Sequence, residues 1–149
     1  MVCALRAHCF LRRQLSFGVM QQERQMSRLP IKRGDIVWVD FGEAGGVAKG
    51  GEHPALVVQN NRGNAVSPMT IVVPLTDARQ FKQLPVQVLL SSAETGLANK
   101  ESCVECGHII AVDREVELLE ERGVVGHVAP DAMRRVDDAL RVSLGLTEG

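Results

Sequence analysis

The stretch Arg33-Gly34-Asp35-Ile36-Val37-Trp38-Val39-Asp40-Phe41 decides the fold class of this chain. Most of its residues from Ile36 onward are β-branched or aromatic, and glycine stands near each end of the apolar run. These features predict a β-strand. The Gly-rich segment 42–51 that follows cannot form regular structure, so we expect a mobile loop there.

Five further segments downstream have the length and composition of strands. Turn-prone residues separate them, and we expect a turn at Asn60–Asn64 and an interruption near Gly107. The predicted segments are Ala55–Val58, Met69–Leu75, Val86–Leu90, Ser102–Ala111 and a short edge strand, Gly123–Val128.

The end of the chain has a helical period instead. Pro130 suits a first helical turn, and Gly145 suits the end of a helix. Several short strands followed by one amphipathic helix predict a mainly β fold, a small and partly open barrel with the helix packed on it. The apolar residues that recur every three or four positions are Ala132, Met133, Val136, Ala139, Leu140 and Leu144.

Residues 1–29 differ from the rest of the chain. They carry five arginines and one glutamate, a net charge of 5 − 1 = +4. Because the whole chain has a net charge of −1, residues 30–149 have a net charge of −1 − 4 = −5. An Arg-rich, acid-poor composition is typical of targeting peptides. We favour an appended segment outside the fold, either poorly ordered or upstream of a true start at Met20 or Met26. The chain is thus divided into an N-terminal extension, 1–29, and one domain, 30–149.

The composition is that of a globular protein. Hydrophobic residues make up 45 % and charged residues 23 %, so the chain is not a disordered one. No apolar run approaches the roughly 20 residues that cross a bilayer, which excludes a membrane protein of that kind. Because the net charge is −1, any nucleic-acid site must be local. Four cysteines indicate a reduced, cytoplasmic chain rather than a secreted disulfide scaffold.

Six segments, in chain order, resemble those of the MazF/PemK/Kid family of toxins. The likeness runs from about Arg33 to Leu146 and covers the whole globular part. It implies the small SH3-like barrel that CcdB-like and PemK-like proteins share. The segments are Arg33–Phe41, Pro54–Asn61, Thr70–Thr76, Gly96–Ala98 with Lys100, Ile109–Asp113 and Ala139–Leu146.

The resemblance implies the endoribonuclease of a type II toxin–antitoxin module. Family members form dimers and mostly cleave single-stranded RNA without metal or cofactor, by attack of a ribose 2′-OH that leaves a 2′,3′-cyclic phosphate and a 5′-OH. A cognate antitoxin would block the RNA channel, and DNA would be bound only by the toxin–antitoxin complex. Two alternatives are a non-enzymatic toxin that resembles the gyrase inhibitor CcdB and a family member that binds without cleaving.

The resemblance places the catalytic positions at His53 and Thr76. His53 stands where the family has Arg before the Pro of the second strand, and an imidazole can transfer a proton or donate to phosphate. Thr76 matches the family's hydroxyl residue at the end of the third strand and is expected to orient the scissile phosphate. The family's Glu-Gln pair in the first loop is Ala48-Lys49 here, and its acidic-Gln pair after the fifth strand is Gly107-His108.

Four basic residues are candidates for RNA binding. Lys49 lies in the Gly-rich loop, Arg79 and Lys82 follow the third strand, and His108 follows the fifth. Exposed basic residues are more often only solvated, so these assignments depend on the resemblance.

Cys103 and Cys106 have the spacing of half a zinc site. A structural zinc requires four ligands, and residues three apart in a strand point to opposite faces. We therefore expect both thiols to pack in the core and expect no metal.

Overall fold

Seven antiparallel strands form one curled sheet in the computed structural model, which describes residues 19–20, 28–43 and 50–147. The strands are β1 (Asp35–Asp40), β2 (Glu52–Val57), β3 (Met69–Asp77), β4 (Gln87–Leu90), β5 (Ser102–Glu105), β6 (Ile110–Asp113) and β7 (Val124–His127). Their order is β4–β5–β3–β2–β1–β7, with β6 also paired to β3. The predicted mainly β half-barrel with a C-terminal helix is confirmed.

The helices that accompany the sheet after β1 are α1 (Asn61–Val66), α2 (Ser92–Thr95) and α3 (Pro130–Ser143), with 3-10 turns at Ala78–Gln80 and Glu120–Arg122. The turn predicted at Asn60–Asn64 is therefore wrong, because this segment begins α1. The side chain of Asn60 accepts a hydrogen bond from the amide of Gly63 at 2.8 Å and so caps the helix. Asparagine favours both turns and helix N-caps, which is why the sequence alone did not separate the two.

Strand β2 begins at Glu52, earlier than the predicted Ala55. Its pairing with β1 continues through Trp38↔Pro54 and Val39↔His53, even though Pro54 has no N–H to donate. His53 is consequently held in a strand of the sheet and not in the preceding loop.

Strand β3 pairs with three other strands. It pairs with β2 along one edge, and along the other it pairs first with β6 and then with β5. The predicted interruption of the fifth strand near Gly107 is confirmed, because β5 ends at Glu105 and β6 begins at Ile110. Pro74 lies on β3 between these two pairings, where the ladder does not require an N–H.

The sheet has an apolar core on each face. Neighbouring residues such as Ile36 and Val37 belong to different core clusters, as the alternation of side chains along a strand requires. Helix α3 covers one face with its buried residues Ala132, Val136 and Ala139. This double burial explains why the β1 segment is apolar at nearly every position instead of at alternate ones.

Most of the predicted extension, 1–29, lies outside the described residues, so the division of the chain at residue 30 stays a prediction. Its last two residues contact the domain. Arg28 Nη2 is 2.8 Å from Glu115 Oε1, and the amide of Leu29 donates to Glu120 Oε1 at 3.0 Å. In the part of the chain that the structure describes, no helix has the length and apolarity to cross a membrane.

Gly126 in β7 allows the close packing of this strand against α2. A Cβ atom at residue 126 would lie far inside van der Waals contact with the carbonyl oxygen of Thr95. We expect Gly126→Ala to lower the free energy of unfolding by about 1–3 kcal/mol, since the backbone must shift to make room. Urea unfolding measures the change. The control is Gly107→Ala, whose Cβ would meet only Val86 Cγ2 at 3.4 Å; equal loss in both variants would contradict this explanation.

Candidate active site

A groove of about 650 Å³ opens beside the ends of β2, β3 and β5. Its floor is formed by these strands, and the loops after β3 and before β5 form its sides. The side chains that give it chemical character are His53, Thr76, Lys82, Lys100, Glu105 and His108.

The groove brings together most of the residues that the sequence singled out. His53, Thr76, Lys82 and His108 all line it, whereas Arg79 does not. Lys49 and residues 44–48 of the predicted loop lie outside the described residues. The roles of these side chains stay predictions.

The strand register explains why His53 and Thr76 line the same groove. The last pair of the β2–β3 ladder is Ala55↔Pro74, and His53 and Thr76 each lie two residues beyond it (55 − 2 and 74 + 2). A shift of two residues keeps both side chains on one face of the sheet. The groove thus lies on one face, where the ladder between β2 and β3 ends.

His53 is half-buried, and one of its ring nitrogens already has a partner. Nε2 lies 2.9 Å from the carbonyl oxygen of Gly50, and the ring centroid lies 6.5 Å from that of Phe41. Because a carbonyl oxygen only accepts, Nε2 must carry the proton. Nδ1 is therefore the nitrogen that can gain or release a proton toward a ligand.

Thr76 is buried, but no strong hydrogen bond holds its hydroxyl. Oγ1 lies 3.4 Å from both the carbonyl oxygen of Cys103 and Oε1 of Glu105. These distances exceed the usual 2.5–3.0 Å of an O–H···O bond. The backbone fixes the position of the hydroxyl, while its proton can turn toward a ligand in the groove.

Glu105 is the main groove residue that the sequence analysis missed. Its two carboxylate oxygens accept from Gln87 Nε2 at 3.1 and 3.2 Å. Gln87 also accepts from the amide of Lys82 at 2.8 Å and thereby ties the carboxylate to the loop after β3. The strand register would have revealed Glu105. Thr76 pairs with Cys103, and Glu105 lies two residues further along β5, so its side chain is on the same face of the sheet as that of Thr76. Lys100, quoted for the resemblance but given no role, also lines the groove.

Arg79 is engaged at the rim by Asp77. Arg79 Nε donates to Asp77 Oδ1 at 2.9 Å, and its side chain is 87 % exposed. Hydrogen bonds from Arg79 lower the pKa of Asp77 to about 2. The pair carries no net charge at neutral pH. A phosphate that binds Arg79 must therefore compete with Asp77 for the guanidinium.

The prediction that Cys103 and Cys106 pack in the core is confirmed, because both are fully buried. The pKa of the Cys106 thiol is raised to about 12, mainly by burial and to a smaller extent by the nearby Cys103 and Glu105. A thiol that stays protonated is a poor nucleophile and a poor metal ligand. Among residues 19–20, 28–43 and 50–147, no cluster of three His, Cys, Asp or Glu residues is arranged to hold a metal ion.

Comparisons with known proteins agree with this geometry. A profile of PemK-like, MazF-like toxins of type II toxin–antitoxin systems matches residues 32–144. The endoribonuclease EndoA of Bacillus subtilis is 32 % identical over 118 residues, which are 79 % of this chain and 97 % of the relative.

Two solved structures extend the comparison. A mycobacterial endoribonuclease in complex with its cognate antitoxin matches with a TM-score of 0.62 and 26 % identity, over 80 % of this chain and 99 % of that one. A MazE–MazF structure from Deinococcus radiodurans matches with a TM-score of 0.58 and 25 % identity, over 79 % of this chain and 99 % of that one. The match of the profile to most of the chain, together with the identity to EndoA, shows that this chain belongs to the family of PemK-like, MazF-like toxins of type II toxin–antitoxin systems.

Proposed function

We propose that this protein is an endoribonuclease toxin that cleaves single-stranded RNA without a metal ion. Its family and its likeness to endoribonucleases of similar length support this activity. The observation that carries the proposal is that His53 and Thr76, on different strands, line one groove with Lys82 and His108.

The substrate would supply its own nucleophile. Attack of a ribose 2′-OH on the adjacent phosphorus requires a proton acceptor for that hydroxyl, a proton donor for the leaving 5′-oxygen, and donors for the charge that develops on the phosphoryl oxygens. Because the nucleophile is a hydroxyl of the RNA itself, no metal-bound water is needed. The products are a 2′,3′-cyclic phosphate and a 5′-OH.

His53 and Thr76 take two of these roles. In its cationic form, His53 donates from Nδ1 to the leaving 5′-oxygen or to a phosphoryl oxygen, while Nε2 stays bonded to Gly50. The Thr76 hydroxyl turns toward the scissile phosphate and orients it. Lys82, Lys100 and His108 attract the RNA backbone from the sides of the groove.

The groove must bind RNA against the overall charge of the domain. Residues 30–149 carry a net charge of −5, so attraction depends on the few cations at the groove. Each phosphate that they neutralise releases counterions, which makes binding weaken as salt rises. We expect modest affinity confined to this channel.

The same family relation suggests the partners. The mycobacterial relative was solved with its cognate antitoxin, and the Deinococcus structure is of MazE with MazF. We infer that a cognate antitoxin likewise binds this protein and covers the groove, that the protein forms a homodimer, and that DNA is bound only by the complex with the antitoxin. A cytoplasmic location follows from this role.

Cleavage of a long RNA of mixed sequence in EDTA tests the proposal. We expect discrete cuts with 5′-OH ends, slowed on the order of 10²- to 10⁴-fold by His53→Ala because a proton-transfer group is lost. Thr76→Ala should slow cleavage by about 10²-fold because the phosphate is no longer oriented. His127→Ala, on β7 and outside the groove, is the control and should cleave at the normal rate.

Failure to cut any RNA between about pH 5.5 and 8.5, with a folded protein, would contradict the ribonuclease proposal. Gyrase supercoiling and antitoxin-binding assays would then distinguish a gyrase inhibitor from a toxin that binds without cleaving.

The pH dependence of cleavage tests the charge on His53. Only the cationic imidazole can donate from Nδ1 while Nε2 stays bonded to Gly50, so single-turnover cleavage should fall as the pH rises across the range in which the protein stays folded. His53→Arg stays cationic throughout this range. We expect this variant to lose the alkaline decline, whatever its absolute rate. The same decline in His53→Arg would show that another group causes it.

A further inference from the structure

The proposed reaction still lacks a proton acceptor for the 2′-OH. His53 and Thr76 supply the donor and the orienting hydroxyl, and the lysines cannot accept a proton while charged. The remaining acceptors that line the groove are Asp77, Glu105 and His108.

Asp77 is unsuited to this role. Its two oxygens accept from Arg79, and this bond lowers its pKa to about 2. A carboxylate that gives up its proton so readily is a weak base, and the Arg79 guanidinium already neutralises its charge. His108 is exposed in the turn between β5 and β6, and no hydrogen bond of its side chain to another described residue fixes its position.

Glu105 is placed next to the orienting hydroxyl. Its Oε1 lies 3.4 Å from Thr76 Oγ1, and Gln87 Nε2 contacts both carboxylate oxygens. The Cys103 thiol is a further, weak donor to Oε1, with Sγ at 3.7 Å, whereas among the described residues Oε2 contacts only Gln87 Nε2 and so keeps capacity for another donor. The amide of Gln87 fixes the plane of the carboxylate, which holds this capacity at a set position in the groove.

The carboxylate of Glu105 has no ion pair in the described part of the protein. Among the described residues, no Lys, Arg or His lies within ion-pair distance of its carboxylate, in contrast to Asp77. A negative charge in a groove that binds a polyanion repels the ligand and weakens binding. Its place beside Thr76 is explained if the carboxylate takes part in the chemistry instead of in binding.

We propose that Glu105 is the catalytic base that accepts the 2′-OH proton. The inference rests on the proposed ribonuclease function and names a further residue of the same site. The 2′-OH proton passes to a Glu105 oxygen as the bond from O2′ to phosphorus forms. The bond from phosphorus to O5′ breaks, and O5′ takes a proton from His53. Glu105 then carries one proton and His53 has lost one, so the two exchange protons with water before the next cycle.

Glu105→Gln tests this role, because the amide has the shape of the carboxylate but cannot accept the proton. We expect the single-turnover rate on a short RNA to fall on the order of 10²- to 10⁴-fold. Binding to the same RNA with a 2′-deoxyribose at the scissile position should stay equal or become tighter, since a repulsive charge is removed. Glu105→Asp, which keeps a carboxylate, should recover part of the lost rate.

The matched control is Glu101→Gln. Glu101 is exposed just before β5 and does not line the groove, so this change removes the same charge without touching the site. Its rate should stay within about twofold of the unsubstituted protein, as for most surface changes. An RNA with sulfur in place of the bridging 5′-oxygen separates the two proton transfers. Its leaving group needs no acid, so it should restore cleavage by His53→Ala and leave Glu105→Gln slow.

Four results would overturn the inference. The first is a Glu105→Gln rate within about threefold of the normal rate, and the second is rescue of this variant by the sulfur leaving group. The third is a loss of cleavage that only parallels a loss of RNA binding or of folding. The fourth is cleavage at a different RNA sequence with an unchanged rate. The last result would make Glu105 a reader of a nucleobase. Absence of cleavage by the unsubstituted protein would overturn the proposed function, and this inference with it, whereas normal cleavage by Glu105→Gln would overturn the inference alone.

Discussion

The hydrogen-bonded ladder of β3 is the constraint on which the rest of the structure depends. This strand is nine residues long and holds β2 on one edge and both β6 and β5 on the other. His53, Thr76 and Glu105 therefore reach the groove from three adjacent strands, and none of them relies on a loop for its position. Side chains carried by a paired sheet keep their geometry better than side chains on loops, which matters where a shift of about 1 Å can cost 10²-fold in rate.

The proposed reaction assigns its chemical roles to residues that differ from those of the resemblance. His53 stands where the resemblance has a permanent cation, and the carboxylate beside Thr76 belongs to Glu105, whereas residue 107 is a glycine. Residues 105 and 107 both line the groove, so a carboxylate can enter it from either position. A donor imidazole that must be protonated makes the proposed reaction depend on pH, whereas a guanidinium is charged at all physiological pH values.

The sequence predicted the strands and the C-terminal helix because their signals are local. Runs of β-branched residues mark β1 and β3, and the apolar period marks α3. Asn60–Asn64 was misassigned because an asparagine cap and an asparagine turn have the same composition. Glu105 was missed for a different reason: its place beside Thr76 depends on the pairing of β3 with β5, and register is set by contacts between segments that are distant along the chain.

The pairing register of a strand and the surface that its side chains present are normally coupled. The interruption between β5 and β6 separates these two properties. From Val72↔Ile110 to Leu75↔Val104, β3 advances three residues (75 − 72) and its partner six (110 − 104), so three extra residues leave the ladder. Gly107 and His108 lie in this excursion and line the groove. Substitutions there alter the surface that a ligand meets without changing the register on either side. In the proposed function, this excursion is therefore a place where substitution can alter the preference for an RNA sequence while the sheet that carries it stays the same.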